Sequence, residues 1–281
     1  MLLRALLVLE PKESNMFVRN ACLCLILSSI PASEGLKTGT AASKALLVGV
    51  TTGSGAEGGS EIITIDPRDG KAEKVGRLVP PKGHKLVQAQ DLTWSTDSKH
   101  LIVTQLGFDD KDEPHTWIDW VEPSSLKIER STAPTPGVLD SFCWDGQGRL
   151  LATLGNARPM KLLAIDPETG ARTETATLEA RLWVRSLVWK AAGSELWALH
   201  TRTTELDYDA LVKLSPKDGA VLQIVKLDMR EMATALALDR RGEFVVAGDK
   251  GGWFHLDAAT GKTERSKAEL EFRVNGLVVG R

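Results

Sequence analysis

A chain of 281 residues can hold one large all-β domain or two ordinary ones, and 42% hydrophobic with 26% charged residues is the make-up of a folded protein, not a disordered one. The formal net charge of -2 provides no broad basic field, which argues against nucleic acid and anionic membrane surfaces as partners. Eight Trp accompany a single Tyr, an aromatic usage that points to packing positions.

The N-terminus reads as two segments. Ala5 to Leu9 is a short apolar run ended by Glu10-Pro11-Lys12-Glu13. A second segment begins at Met16: Arg19 supplies positive charge, Ala21 to Ile30 is mostly apolar, and Pro31 to Gly35 offers small residues for cleavage. That is the layout of a secretory signal peptide, and its core is shorter than the roughly 20 helical residues needed to span a bilayer. Residues 1–35 are therefore expected to be an N-terminal extension and leader, with translation starting at Met16 and cleavage near Ala32 to Gly35. A buried helix is the competing reading. The mature chain is expected in the periplasm or outside the cell, with no transmembrane segment left. Neither Cys22 nor Cys24 follows the Leu-small-small triplet of a lipid-anchoring signal. Cleavage would leave Cys143 alone, so no internal disulfide is expected, and its setting in Phe142-Cys143-Trp144 suggests a buried, inert thiol. Residues 36–44, small and polar, read as a linker.

From Ala45 onward one unit recurs. Its clearest copy is Leu162-Leu-Ala-Ile-Asp166-Pro167-Glu-Thr-Gly170: an apolar strand stops at Asp-Pro, where proline pre-sets φ, and turns through a glycine that accepts positive φ. The same hairpin appears at Ile63 to Gly70, Val212 to Gly219 and Phe254 to Gly261, and more loosely at Trp120 to Leu126. Upstream of most copies lie two apolar strands joined by a tight turn. The first of these strands ends at Trp94, Trp144, Trp189 and Leu238, spaced by 50, 45 and 49 residues.

Each period thus holds four short strands, a unit that buries one face only when neighbours cover it. The expectation for 45–281 is an all-β, five-bladed β-propeller of four-stranded antiparallel blades. Val274 to Val279 is expected to pair into the first blade, whose own first strand is missing, and so to close the ring. The large residue ending each first strand is expected to pack between adjacent blades in preference to stacking on carbohydrate. The Ile-Asp-Pro-x-Thr/Asp-Gly hairpin with its upstream Trp-x-x-x-Gly element resembles exported bacterial propeller repeats of the YVTN and quinoprotein-like kind. The resemblance implies fold and export; the Trp-rich blade motif of true quinoproteins is not matched, so it implies no quinone.

Counting back four residues from the Trp/Leu position in each repeat, with Val279 as the fifth equivalent, gives Gln90, Asp140, Arg185, Thr234 and Asn275. All five are polar, and a propeller would set them around one mouth of its central channel, as a small-ligand site requires. A water-filled entrance, or an Asp140–Arg185 ion pair between blades, accounts for the same pattern. The acidic stretch Phe108 to His115 could supply oxygen ligands to Ca²⁺, but completes no recognised loop. Gly53 to Gly59 lacks the ending of a phosphate cradle. No Gly-x-Ser-x-Gly, His-Glu-x-x-His or paired-His spacing occurs, and the five His are scattered. The reading is a non-catalytic, monomeric binding module for a small ligand or protein partner, without a predicted cofactor. The alternative is a hydrolase or lactonase-like enzyme using a divalent metal such as Ca²⁺ held by Asp140, Asn275 and a neighbour over the channel.

Overall fold

The computed structural model describes residues 25–26, 47–52, 60–65, 72–78, 88–109, 111–155, 158–239 and 241–269. Among them the strands form five antiparallel sheets, and the chain is a β-propeller in which the second to fifth sheets follow one another side by side. The first sheet contains β1 (Leu25–Ile26), β2 (Leu47–Thr52), β3 (Ser60–Ile65) and β4 (Ala72–Leu78). The second contains β5 (Gln88–Trp94), β6 (Leu101–Phe108), β7 (Pro114–Val121) and β8 (Ile128–Ser131), with a short extra strand, β9 (Thr135–Pro136), also paired to β7. The third is β10 (Leu139–Trp144), β11 (Leu150–Leu154), β12 (Lys161–Ile165) and β13 (Arg172–Thr177). The fourth is β14 (Val184–Lys190), β15 (Glu195–His200), β16 (Ala210–Leu214) and β17 (Val221–Lys226). The fifth is β18 (Ala233–Leu238), β19 (Phe244–Gly248), β20 (Gly252–Leu256) and β21 (Thr263–Glu269). In every sheet the four main strands pair in chain order, with β9 lying off that path.

In the second to fifth sheets the last strand is the least buried. In the third, β10 is almost wholly buried while β13, Arg-Thr-Glu-Thr-Ala-Thr, is mostly half-buried or exposed. The first strand of a blade is therefore innermost, and β5, β10, β14 and β18 lie side by side. Apolar clusters fill the spaces between successive sheets: Ile102, Ile118, Phe142 and Leu163 between the second and third, Leu162, Leu187, Leu196 and Val212 between the third and fourth, and Trp197, Leu211, Phe244 and Val246 between the fourth and fifth. Each sheet buries its faces only through its neighbours, as the repeat pattern predicts.

The aromatic residue ending the inner strand bridges blades. The Trp144 indole N–H donates to the Trp94 carbonyl of the preceding sheet (2.6 Å), and the Trp189 ring lies against Gly146 in the turn before it. Three of the glycine hairpins form as read, while the turn of the Ile63 to Gly70 copy lies outside the described residues. The Gly170, Gly219 and Gly261 N–H groups donate back to the carbonyls of Asp166, Ser215 and Asp257, and all three glycines have φ of 70° to 75°. In the loose copy Leu126 takes that left-handed position, with φ 56°, and donates to the Glu122 carbonyl.

The ends differ from the sequence expectation. Val274 to Val279, expected to complete the first blade, lies outside the described residues, as do 36–44. The inner edge of β2 is instead paired with Leu25–Ile26, through Leu25 to Gly49 and Ile26 to Val48. These two residues fall inside the apolar segment Ala21 to Ile30 read as the leader core; a short apolar run meets the needs of an inner strand as well as those of a leader. Among the described residues no helix is long and apolar enough to cross a membrane.

Candidate functional site

Four of the five candidate site residues share one structural feature. The ladder between the first and second strands of a blade slips by one residue, between Ala89 and Asp91, between Leu139 and Ser141, between Val184 and Ser186, and between Ala233 and Ala235. The residues left without a cross-strand partner are Gln90, Asp140, Arg185 and Thr234. A bulge re-aims the side chain it frees, so these four are presented at one register near the start of neighbouring inner strands. Asn275 lies outside the described residues.

Gln90, Asp140 and Thr234 are buried, while the Arg185 side chain keeps 15% of its surface exposed. Asp140 and Arg185 form an ion pair across adjacent blades, with 3.9 Å between Oδ1 and Nη1. That separation exceeds a hydrogen bond. Asp140 Oδ2 is buried with no hydrogen-bond partner among the described residues. The carboxyl leans over Gly155, where a Cβ would fall on it, so the close approach requires glycine at that position. Burial pushes the Asp140 pKa up to about 6, against the pull of the Arg185 guanidinium. The Thr234 hydroxyl donates to the Ala247 carbonyl (3.1 Å).

The residues one step further along stitch the blades together. Asp91 Oδ2 accepts the Phe142 N–H of the next sheet (2.7 Å) and Oδ1 accepts the Leu92 N–H (2.9 Å). Burial nevertheless holds its pKa well above the carboxylate range, with the neighbouring Asp140 charge adding to the effect. Ser186 donates to the Leu236 carbonyl of the fifth sheet (3.1 Å), whereas Ser141 pairs with Thr153 inside its own sheet (3.0 Å).

Two buried carboxylates that sequence reasoning passed over lie in the connecting segments at the same end. Asp209 accepts from the Arg202 main chain (2.8 Å), the Arg202 guanidinium (2.6 Å) and the Ala233 N–H of the next sheet (2.9 Å). Glu231 accepts the Lys250 and Gly252 N–H groups (3.1 and 3.2 Å), and a Cβ on Gly248 or Gly252 would collide with it. Both carboxylates are thereby occupied. His200 is buried, its Nδ1 accepts the Trp183 N–H (2.9 Å), and burial lowers its pKa, so the ring is neutral and structural.

The acidic stretch Phe108 to His115 closes on itself. Asp109 Oδ1 accepts the Lys111 and Glu113 N–H groups (2.8 and 2.9 Å), and these bonds hold its pKa below the usual value. Among the described residues no three His, Cys, Asp or Glu side chains are grouped to hold a metal. Tyr208 packs against the cluster between the third and fourth sheets, beneath the Lys226 ammonium at 4.8 Å. Cys143 is buried, and burial raises its pKa far above the ordinary thiol value.

The fold and the repeated bulge define a β-propeller with a polar inner rim. No protein-family model and no curated protein matches the chain. Among solved structures it is similar to a glucose dehydrogenase, at 11% identity over 92% of this chain and 90% of that one with a TM-score of 0.55. It is also similar to a putative oxidoreductase (glucose dehydrogenase) from Thermus thermophilus, at 12% identity over 92% and 86% of the two chains with a TM-score of 0.52. A chain of the mitotic checkpoint complex aligns at 13% identity and a TM-score of 0.46, and this protein spans 64% of its length. At such identities the likeness is one of fold.

Proposed function

We propose that this chain is an exported five-bladed β-propeller that acts as a non-catalytic binding module, taking a small ligand or a protein partner at the rim formed by Gln90, Asp140, Arg185 and Thr234. The observation that carries the reading is Asp140 Oδ2, a buried oxygen with no partner among the described residues, set beside a partly exposed guanidinium. Native proteins seldom leave such an atom unsatisfied, because its desolvation costs about 1–3 kcal/mol. A ligand atom would satisfy it.

Binding is favoured over carboxylate-pair hydrolysis by the state of Asp91. Both of its oxygens are taken up by main-chain N–H groups, so it offers no second carboxylate to a substrate. Thermal melts of the exported form against a small-molecule and peptide library test the proposal. A true ligand raises the melting temperature by mass action on the native state, and the rise is expected to vanish in Arg185→Ala. A ligand whose effect survives Arg185→Ala and Asp140→Asn alike would overturn it.

A further inference from the structure

Resting on that reading of the rim, we infer that the ligand group held there is a carboxylate, received by the Arg185 guanidinium, and that its binding carries one proton from solvent onto Asp140. Two features of the geometry set the sign of the ligand's charge. Arg185 is the accessible member of the ion pair, with 15% of its side chain exposed against 5% for Asp140, so an arriving group meets the cation first. The Trp183 ring orients the Arg185 guanidinium, 5.5 Å from its centroid, and that of Arg158, 5.1 Å from the same centroid and itself paired with Glu205 at 2.9 Å. Planar guanidinium groups match carboxylates through two parallel N–H donors.

The proton follows from electrostatic accounting. In the empty protein Arg185 is the positive group that stabilises ionised Asp140 against the cost of its burial. The other titratable group facing Asp140 among the described residues is Asp91 on β5, whose pKa burial holds well above the carboxylate range; the end of β11 contributes only Gly155. When a ligand carboxylate engages Arg185, the guanidinium can no longer offset a second buried anion. Asp140 then takes up a proton, and its hydroxyl gains in the ligand an acceptor that Oδ2 lacks in the empty protein. No bond is made or broken beyond this protonation.

Calorimetry on the full chain tests the inference, with acetate, lactate and benzoate as free acids, a hexapeptide with a free C-terminus and its C-terminally amidated twin, and methylammonium as the opposite charge. Titrations in two buffers of different ionisation enthalpy count the protons. At pH 7 a carboxylate is expected to bind with uptake approaching one proton. Its dissociation constant is expected to rise about tenfold per pH unit above pH 6 and to level off below it. Asp140→Asn is expected to lose both the proton uptake and the pH slope of whatever binding it retains, and Arg185→Met to lose binding. Preference for the peptide over free acids would assign the carboxylate to a protein terminus, and the reverse to a metabolite; either supports the inference. Binding without proton uptake, a pH slope that persists in Asp140→Asn, or selection of methylammonium would overturn it while leaving the binding-module reading standing. Absence of binding by every probe, together with ligands found elsewhere on the surface, would sink both.

Discussion

Asp140 is held close to the pH at which its charge changes, and that position has a measurable cost. Its folded pKa of about 6 lies above the usual carboxylate value, so the native state binds its proton more tightly than the unfolded chain. The resulting stabilisation is full below about pH 4 and is lost as pH rises through 6, for a total of about 3 kcal/mol. Asp140→Asn removes the contribution. Relative to wild type, the variant is expected to gain up to about 3 kcal/mol between pH 4 and pH 7.5, read from urea denaturation at each pH. The position of Asp140, with those of Gln90, Arg185 and Thr234, was legible in the sequence because each precedes its repeat's large apolar residue by four. The bulge that frees them was not, since a slipped ladder leaves no mark on residue type here. Asp209 and Glu231 were missed for a related reason. Their partners include main-chain N–H groups, and the glycines that admit Glu231, Gly248 and Gly252, look like ordinary turn residues.

At the scale of the strand, Asp91 does for the second and third sheets what no apolar contact could: it supplies an acceptor to an inner-strand N–H where the β5 and β10 backbones meet. Asp91→Ala strips acceptors from the Phe142 and Leu92 N–H groups inside the protein, and a loss of about 2–4 kcal/mol is expected in chemical denaturation. An unchanged midpoint would mean that the two backbones part to admit water. The hairpins were the most legible elements. Asp166-Pro167 and Gly170 specify their turn chemically, and the structure forms it with the φ that glycine permits. Leu126 shows the limit of that chemistry. Nothing in its side chain asks for φ of 56°, and the neighbouring strands impose the turn regardless.

For the molecule as a whole, the sheets contact their sequence neighbours and stability is graded from the inner strands outward. Amide exchange is expected to be slowest in β10 and β18, whose side chains are largely buried, and fastest in β13 and β17, whose outer faces meet solvent. Uniform protection across a sheet would contradict that grading. The architecture was readable because a 45- to 50-residue period forces each unit to seek identical neighbours. The ends were not, because a short apolar segment satisfies the edge of β2 wherever in the chain it comes from.

The slipped ladder recurs in four consecutive sheets while the residue it releases changes from amide to carboxylate to guanidinium to hydroxyl. Backbone pairing on either side is therefore indifferent to what those positions carry. Evolution, or a protein engineer, could rewrite the chemistry of this rim one blade at a time without renegotiating how the chain folds.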